Sequence, residues 1–272
     1  MRTVVIPERW ERIIDLVEER GGASIELIAQ TLGVSDATAR RDLVRIYERG
    51  LIERTRGGAA PARQVRVGRT LSESRRINPV EKESIGRAAA ELVEQGDTVM
   101  IDGGFTTYQA ARRFHVSGLS VVTNSFDVAQ ALAGRQDGTL IIIGGELNPV
   151  SGTTVGPLTE HQILELAADK AILGADAVSP EDGLTSPKSF SAQTKRAMID
   201  RSKRLIVVAD YTKLGRSTLY RVAPVGAIST LVTDDKADHA VVDAFRAAGV
   251  EVIVAKRENE GDDIGNGLNR NA

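Results

Sequence analysis

The sequence predicts a two-domain α/β chain, in which a small helical module with a β-ribbon precedes a three-layer α/β domain with a mainly parallel sheet. Residues 24–50 show helical periodicity interrupted by a Leu-Gly-Val turn. From residue 80 onward, short apolar runs alternate with helical stretches, which is typical of strands buried on both faces and covered by helices. A segment rich in Arg, Gly and Ser separates the two patterns.

A helix-turn-helix organises the first module. A preceding helix is predicted over 7–20, with an apolar stripe that consists of Trp10, Ile13, Ile14 and Val17. Ser35 is placed to cap the second helix of the motif. The stripe of that helix expected to face the core comprises Ala39, Leu43, Ile46 and Tyr47. Leu51 and Ile52 begin a strand and a Gly-Gly pair permits a turn, so residues 1–60 are predicted to form a winged helix-turn-helix.

The opposite side of the second helix is polar and basic. Thr38, Arg41 and Arg45 share this side, and long donors on such a face reach base edges and phosphates in the major groove of DNA. The residues predicted to contact double-stranded operator DNA are Ser35, Asp36, Thr38, Arg40, Arg41 and Arg45 in the motif, with Arg54 and Arg56 in the wing. The alternative is an ordinary amphipathic helix with a solvated basic face.

Charge is distributed unevenly along the chain. Residues 1–76 carry 15 Arg and 11 acidic residues, a net charge of +4, whereas the remainder carries 20 basic and 26 acidic residues, or −6. A basic excess beside a helix-turn-helix is suited to neutralising phosphates. Residues 61–79 are poor in apolar side chains and are predicted to be a linker, which either contacts DNA or is simply solvated.

The α/β domain is predicted over 80–256 and begins with a helix over 80–95. Strands are predicted at 98–102, 120–124, 139–145, 170–175, 204–210, 227–235 and 250–256. Helices are predicted between them at 107–114, 125–133, 158–167, 189–201 and 236–248. Residues 257–272 have almost nothing to bury and are predicted to be disordered.

Glycine and polar residues follow the predicted strands at their carboxyl ends, where open α/β sheets bind ligands. Glycines let backbone N–H groups approach a ligand, and carboxylates accept hydrogen bonds from hydroxyl groups. The residues predicted to bind a phosphorylated sugar or polyol are Asp102, Gly103, Gly104, Thr106, Thr107, Thr123, Asn124, Ser125, Gly144, Gly145, Glu146, Gly174, Asp176, Lys195 and Lys213. Taken singly, each has the alternative of a tight turn, a helix cap or a surface residue.

Several functional classes lack their signatures. The sequence contains no phosphate loop of the G-x-x-x-x-G-K-[ST] type, no strand followed by G-x-G-x-x-G and no G-x-S-x-G elbow. There is no cysteine, and the three histidines lack metal-ligand spacing, so neither a metal nor a cofactor is expected. Without a signal peptide or an apolar run of about 18 residues, we expect a cytoplasmic protein with no membrane partner.

These motifs together resemble the DeoR family of bacterial transcriptional regulators over nearly the whole chain. SDATARRDL and RTRGGA are similar to its DNA-binding module; DGGFTT, VVTNSFDVA, IIIGGELNPVSGTTVGP, DKAILGADAVSPEDGLTSP, KRAMI and ADYTKLGR are similar to its sensor domain. The resemblance implies a sensor related in fold to ribose-5-phosphate isomerase, repression of sugar or polyol catabolism genes, and release by a phosphorylated metabolite. Phe105 departs from the family pattern, where a small hydroxyl residue is usual, and Asp182 replaces a usual glycine.

The sequence therefore predicts a non-enzymatic repressor, and two alternatives remain. The first is an active sugar-phosphate isomerase with a DNA-binding appendage, for which Asp102, Glu146 and Asp176 are the candidate acid–base groups. The second is a regulator whose α/β domain only oligomerises. One recognition helix covers too few base pairs for selectivity, so a homodimer or homotetramer held mainly by the α/β domain is expected.

Overall fold

The computed structural model describes residues 8–48, 52–55, 57–61, 71–135 and 137–257. The chain divides into two compact units, Met1–Val67 and Gly68–Ala272, here called the winged-helix unit and the α/β unit. The division falls inside the segment predicted to be a linker. Apart from Arg257, the predicted disordered tail lies outside the described residues. No helix in the described ranges is long and apolar enough to cross a membrane.

In its described residues, the winged-helix unit contains three helices and three short strands. In chain order they are α1 Glu8–Glu19, β1 Ala23–Ser24, α2 Ile25–Leu32, α3 Asp36–Glu48, β2 Ile52–Thr55 and β3 Gly58–Pro61. The β3 strand pairs antiparallel with both β1 and β2, so the predicted wing is confirmed and gains a third strand. Gly33 ends α2 with φ of 65°, a left-handed conformation that favours glycine and turns the chain toward α3.

The core of this unit lies between its helices. The predicted stripe of α1 is buried, as are Ala39, Leu43 and Ile46 of α3. The prediction that Tyr47 faces the core is wrong, because its side chain is 48% exposed. Tyr47 follows Ile46 by one residue, a rotation of about 100° around the helix, which carries it off the buried stripe. Ser35 caps α3 as predicted, since its Oγ accepts a hydrogen bond of 3.3 Å from the N–H of Thr38.

The α/β unit has seven helices and twelve strands in the described residues. The helices are α4 Leu71–Arg76, α5 Pro79–Ala90, α6 Phe105–Ala111, α7 Phe126–Leu132, α8 Pro157–Leu164, α9 Ser189–Asp200 and α10 His239–Ala247. The strands are β4 Thr98–Ile101, β5 Ser120–Thr123, β6 Thr139–Ile142, β7 Glu146–Asn148, β8 Thr153–Val155, β9 Ala168–Gly174, β10 Ala177–Ser179, β11 Gly183–Ser186, β12 Ser202–Val208, β13 Tyr220–Ala223, β14 Thr230–Asp234 and β15 Glu251–Ala255.

Seven parallel strands form the main sheet, in the order β15-β14-β12-β9-β4-β5-β6. Side chains from α5, α6 and α7 join the hydrophobic core on one face, and side chains from α8, α9 and α10 join the core on the other. The predicted three-layer domain with a mainly parallel sheet is therefore confirmed. The chain enters at β4, adds β5 and β6 on one side, and returns to the other side of β4 with β9. The winding reverses between β4 and β9, and such a switch point is where doubly wound sheets bind ligands.

Three features of this unit are absent from the sequence-based prediction. The β7 and β8 strands form an antiparallel hairpin, and β10, β11 and β13 form a small antiparallel sheet. The third feature is α4, which lies within residues 61–79. The prediction of a linker is wrong for residues 71–76, because they form a helix that packs against α6.

Candidate functional site

The predicted DNA-contacting residues lie on the exposed side of α3 and on the wing. Six are exposed: Ser35, Asp36, Arg40, Arg41, Arg45 and Arg54. Thr38 is half-buried, and its hydroxyl lies 2.9 Å from that of Ser35. Arg56 lies outside the described residues. The arrangement leaves a row of long basic side chains on the face opposite the core.

Asp42 anchors α3 to α1 from its buried side. Its carboxylate accepts hydrogen bonds from Trp10 Nε1 at 2.9 Å and from Arg9 Nε at 2.7 Å. Burial would raise the pKa of Asp42, but the hydrogen bonds from Arg9 and Trp10 outweigh it and hold that pKa below its usual value. Sequence reasoning missed Asp42, although an acidic residue three positions after the buried Ala39 signals a paired carboxylate.

Asp102 joins three elements at the switch point of the sheet. It follows β4, and its Oδ1 accepts a hydrogen bond of 3.0 Å from the N–H of Gly174 at the end of β9. Lys195 Nζ, from α9, lies 2.5 Å from Asp102 Oδ2 and also donates to the carbonyl of Gly174. Both side chains are buried. The predicted residues Asp102, Gly174 and Lys195 are thus brought together.

The lysine of this group is held as a cation. Burial would lower the pKa of Lys195, but the carboxylates of Asp102 and Asp176 outweigh it and raise that pKa. Asp176 follows β9 by two residues and accepts a hydrogen bond of 2.9 Å from Ser186 Oγ. The charges of two carboxylates therefore act on one buried ammonium, which contacts Asp102 directly. We call Asp102, Gly174, Asp176 and Lys195 the switch-point cluster.

Gly103 brings the backbone next to α7 and the β7–β8 hairpin. A Cβ atom at Gly103 would lie 2.2 Å from Thr153 Cγ2 and 3.2 Å from Ser125 Oγ, so only glycine fits. Gly104 has φ of 153°, and its carbonyl accepts a hydrogen bond of 3.0 Å from Thr107 Oγ1. Thr106 and Thr107 are buried in α6. The two glycines therefore form a tight backbone loop that connects Asp102 of the switch-point cluster to the hydroxyl-bearing residues Thr106 and Thr107.

The predicted Thr-Asn-Ser residues begin with the last residue of β5, Thr123, and all three are buried. The Oγ1 of Thr123 accepts from the N–H of Ser125, and Ser125 Oγ caps α7. Asn124 Nδ2 donates to the carbonyl of Thr154 at 2.7 Å. Among the described residues, Asn124 Oδ1 is a buried acceptor without a hydrogen-bond partner. A buried acceptor of this kind is suited to a ligand hydroxyl.

The predicted residues after β6 are bound to α8. The carbonyl of Gly144 accepts from Thr159 Oγ1 at 2.9 Å, and its N–H donates to Gln162 Oε1 at 3.2 Å. Gly145 faces Thr159 closely, since a Cβ there would lie 1.9 Å from Oγ1. Glu146 is exposed on β7. None of the contacts described for these residues joins them to the switch-point cluster.

Lys213 lies in the turn Tyr211–Lys213 after β12, the strand next to β9. Its charge acts on Asp210, which is buried. Burial would raise the pKa of Asp210, but Lys213 and Lys82, with hydrogen bonds from Thr212, hold that pKa below its usual value. Lys213 therefore contributes to a second charged group one strand away from the switch-point cluster.

The two departures from the family pattern have defined places. The ring of Phe105 is buried and stacks on that of Tyr108, with 6.1 Å between centroids. Asp182 is exposed in the turn between β10 and β11, where it accepts a hydrogen bond from Ser217 Oγ. Phe105 therefore adds its bulk to packing within α6.

Two family models match the chain. The DeoR-like helix-turn-helix domain matches residues 9–65, and the DeoR C terminal sensor domain matches residues 77–235. The chain belongs to the DeoR family. This DeoR-family chain is therefore a DNA-binding transcriptional regulator, with the winged-helix unit as its DNA-binding domain and the α/β unit as its sensor domain.

Relatives of this DeoR-family chain match it over most of their length. The HTH-type transcriptional regulator GlpR of Haloferax volcanii is 35% identical over 247 residues, covering 90% of this chain and 96% of the relative. The HTH-type transcriptional repressor GlcR of Bacillus subtilis is 34% identical over 259 residues, covering 94% and 98%. The glycerol-3-phosphate regulon repressor of Escherichia coli K12 is 33% identical over 229 residues, covering 84% and 90%.

Solved structures match the DeoR-family chain at a lower level. The ribose 5-phosphate isomerase of Methanocaldococcus jannaschii is 17% identical, covers 49% of this chain and 53% of its own, and has a TM-score of 0.36. A ribose-5-phosphate isomerase in complex with phospho-erythronic acid has a TM-score of 0.37 at 18% identity, covering 49% and 52%. At these TM-scores the matches add nothing to the fold described above.

Proposed function

We propose that this regulator represses genes of sugar or polyol catabolism and is released from operator DNA by a phosphorylated sugar or polyol. The observation that supports this most is the switch-point cluster, where Asp102, Gly174 and Lys195 converge at the place where doubly wound sheets bind ligands. The Escherichia coli relative named for the glycerol-3-phosphate regulon agrees with a phosphorylated polyol as the signal.

The polyhydroxyl part of the effector is assigned to the carboxylates. Asp102 and Asp176 are acceptors at the switch point, and Asn124 Oδ1 adds a buried acceptor. Lys195 is already paired with Asp102, so its role here is to hold that carboxylate in place. Hydroxyl groups of a sugar or polyol supply the donors that such acceptors need.

The phosphate is assigned to the loop at Gly103 and Gly104. Backbone N–H groups of this loop, with the hydroxyl of Ser125 close to Gly103, form a set of donors for phosphate oxygens. Lys213 adds positive charge from the neighbouring turn, where Asp210 balances it in the absence of ligand. The proposed ligand thus spans two chemically different halves of one site.

Under this proposal the regulator acts in the cytoplasm, catalyses no reaction, and binds its operator as a homodimer or homotetramer. An isomerase would need a free general base near the substrate carbons. Asp102 is engaged by Lys195 and Gly174, and Asp176 accepts a hydrogen bond from Ser186. These contacts favour binding over turnover.

Thermal unfolding with a ligand panel tests the proposal. The panel consists of glycerol 3-phosphate, ribose 5-phosphate, fructose 6-phosphate and glucose 6-phosphate, with the unphosphorylated compounds and inorganic phosphate as controls. A compound at 100 times its Kd stabilises the folded chain by about 2.7 kcal/mol. The same compound should release a duplex taken from the promoter of the regulator's own gene. If no panel compound stabilises the chain or releases DNA, the effector class is wrong.

A further inference from the structure

The helix α4 contacts the loop proposed to hold the phosphate. The guanidinium carbon of Arg75, in α4, lies 5.7 Å from the ring centroid of Phe105 and 5.8 Å from that of Tyr108. Phe105 directly follows Gly104 and is the first residue of α6, so its backbone adjoins the loop. A cation over two stacked rings is an attractive contact that depends on where the rings lie. A displacement of the loop therefore changes the contact made by α4.

The C-terminal end of α4, which carries Arg75, is also held by the group around Asp210. Asn78 Nδ2 donates to Asp210 Oδ1 at 3.2 Å, just beyond the end of α4. Lys82 Nζ donates to the carbonyl of Ser74, in α4, at 2.9 Å and lies 3.9 Å from Asp210 Oδ2. Lys82 and Asp210 are both buried. The turn that carries Lys213 starts directly after Asp210, so this second contact also adjoins the proposed effector site.

The backbone between α4 and α5 is strained. Asn78 has φ of 48° and ψ of 49°, and it is the one non-glycine residue with positive φ in the part of the chain that the structure describes. A left-handed conformation costs an ordinary residue roughly 1 to 2 kcal/mol, and Asn tolerates it better than most. Such a conformation persists where neighbouring contacts hold it, and the hydrogen bond to Asp210 is one of them.

We propose that α4 couples the effector site to the DNA-binding domain. In the operator-binding arrangement α4 is docked on Phe105 and Asp210. An effector that shifts the loop at Gly103 and Gly104, with the start of α6, or the turn at 211–213 undocks it. This inference rests on the proposed function. The chain between β3 and α4 is nine residues long, 62–70. The position of α4 therefore decides where the connection to the winged-helix unit starts.

The energetic requirement for this coupling is a difference in effector affinity between the two arrangements. A ligand shifts an equilibrium only if it binds one state better than the other. The loop around Phe105 and the turn after Asp210 face both α4 and the proposed ligand, so docking of α4 and binding of ligand compete for the same two segments. By linkage, any change that weakens docking weakens operator binding and strengthens effector binding by related factors.

The test compares two arginines that lie over the same ring. Arg75→Ala removes the contact from α4, whereas Arg112→Ala removes an arginine of the α6 end that lies 6.0 Å from the centroid of Tyr108. With the full chain and the promoter duplex, Arg75→Ala should weaken operator binding about two- to fivefold, the range of one cation–π contact. Arg112→Ala should leave it unchanged.

A second variant acts on the other contact. Asn78→Asp keeps a residue type that tolerates the left-handed conformation and places a carboxylate against Asp210. It should also weaken operator binding. Asn78→Gly, which removes the hydrogen bond and adopts the left-handed conformation without strain, should have a smaller effect in the same direction. Far-UV circular dichroism melts confirm that each variant is folded before its operator affinity is interpreted.

Effector affinity distinguishes a loss of coupling from a general loss of binding or stability. Arg75→Ala should bind ribose 5-phosphate or glycerol 3-phosphate, whichever stabilises the wild type, about two- to fivefold more tightly. Unchanged effector affinity, or equal losses of operator affinity in Arg75→Ala and Arg112→Ala, overturns the inference. If the wild-type chain binds operator and no panel compound stabilises it or releases the DNA, the result contradicts the proposed effector class instead of the role of α4. Amide hydrogen exchange of residues 71–78, measured with and without operator DNA, tests the docking of α4 directly. Operator DNA should slow this exchange, and an unchanged exchange rate overturns the inference.

Discussion

Trp10 Nε1 donates a hydrogen bond of 2.9 Å to Asp42 Oδ1, joining α1 to α3 through the core of the winged-helix unit. Trp10 is the single tryptophan of the chain, and it is buried. Its fluorescence therefore reports the folding of this unit separately from that of the α/β unit. The helix that carries Arg41 and Arg45 is held in place by the same carboxylate.

Replacement of Asp42 should destabilise the winged-helix unit. Asp42→Asn keeps an acceptor for Trp10 but leaves Arg9 without its carboxylate. Hydrogen bonds to charged groups contribute about 1.5 to 3 kcal/mol, so we expect a loss of that order in urea unfolding followed by Trp10 fluorescence. Asp36→Asn, which removes an exposed carboxylate from the same helix, is the control. Equal shifts in both variants would contradict the anchoring role of Asp42.

The stability of the winged-helix unit should depend on acid pH through Asp42. The folded-state pKa of Asp42 is held below the value of about 3.9 expected in the unfolded chain. Its contribution to the free energy of unfolding is therefore complete above about pH 4, and it is lost as the pH falls through the lower folded-state pKa. Urea midpoints measured between pH 5 and pH 2 by Trp10 fluorescence should fall less steeply for Asp42→Asn. Parallel curves would contradict this assignment.

Arg41 should contribute to sequence-specific recognition. If Arg41 makes a bidentate base contact, Arg41→Ala costs about 1 to 3 kcal/mol of affinity for the specific operator. Affinity for a random duplex of equal length should fall less. Fluorescence anisotropy at one fixed salt concentration measures both values. An equal loss on the two duplexes would make Arg41 a phosphate contact.

The pair formed by Asp102 and Lys195 should be sensitive to the removal of either partner. Lys195→Met leaves Asp102 buried without its counter-charge, a change that costs about 3 to 5 kcal/mol. Asp102→Asn leaves Lys195 with the charge of Asp176 alone and should also destabilise the unit. The double variant should regain a large part of that stability. Far-UV circular dichroism in urea follows the helices of both units, and Trp10 fluorescence identifies the transition of the winged-helix unit, because the α/β unit lacks tryptophan. Additive losses in the double variant would mean that the two groups do not act as a pair.

Assembly should occur mainly through the α/β unit. This unit exposes large apolar side chains on its surface, including Ile142, Leu147 and Leu158, and exposed apolar groups mark interaction sites. Light scattering should give the mass of a homodimer or homotetramer at micromolar concentration. A monomer with and without operator would contradict the predicted assembly.

The main sheet was predictable because its inner strands, such as β4, β5, β9 and β14, are buried on both faces. Each such strand appears in the sequence as a continuous apolar run, as in residues 204–210. The helices between the strands are recognisable because their apolar residues recur with the helical period. The small strands β10 and β13 are three and four residues long, too short to show a period. Helix α4 contains mostly polar residues, and contacts such as that between Arg75 and Phe105 are invisible in a local pattern.

The site was predictable only as a set of residue types at strand ends. Asp102, Gly103 and Gly174 follow strands that adjoin at the switch point, so their proximity results from the topology. The sequence could not reveal that Lys195 is neutralised by Asp102, because the two are 93 positions apart and come from different layers. The sequence also does not show the short β7–β8 hairpin. Glu146 was therefore predicted to belong to this site, although it lies on the exposed strand β7.

The reversal of the sheet between β4 and β9 has a consequence during synthesis on the ribosome. The wing ends at Pro61, so the DNA-binding domain is complete early in translation. The switch-point cluster requires β9 and Lys195, which emerge about 130 residues later, or roughly 10 s at usual elongation rates. Each nascent chain therefore passes through a period in which its DNA-binding domain is able to fold and its effector site does not yet exist.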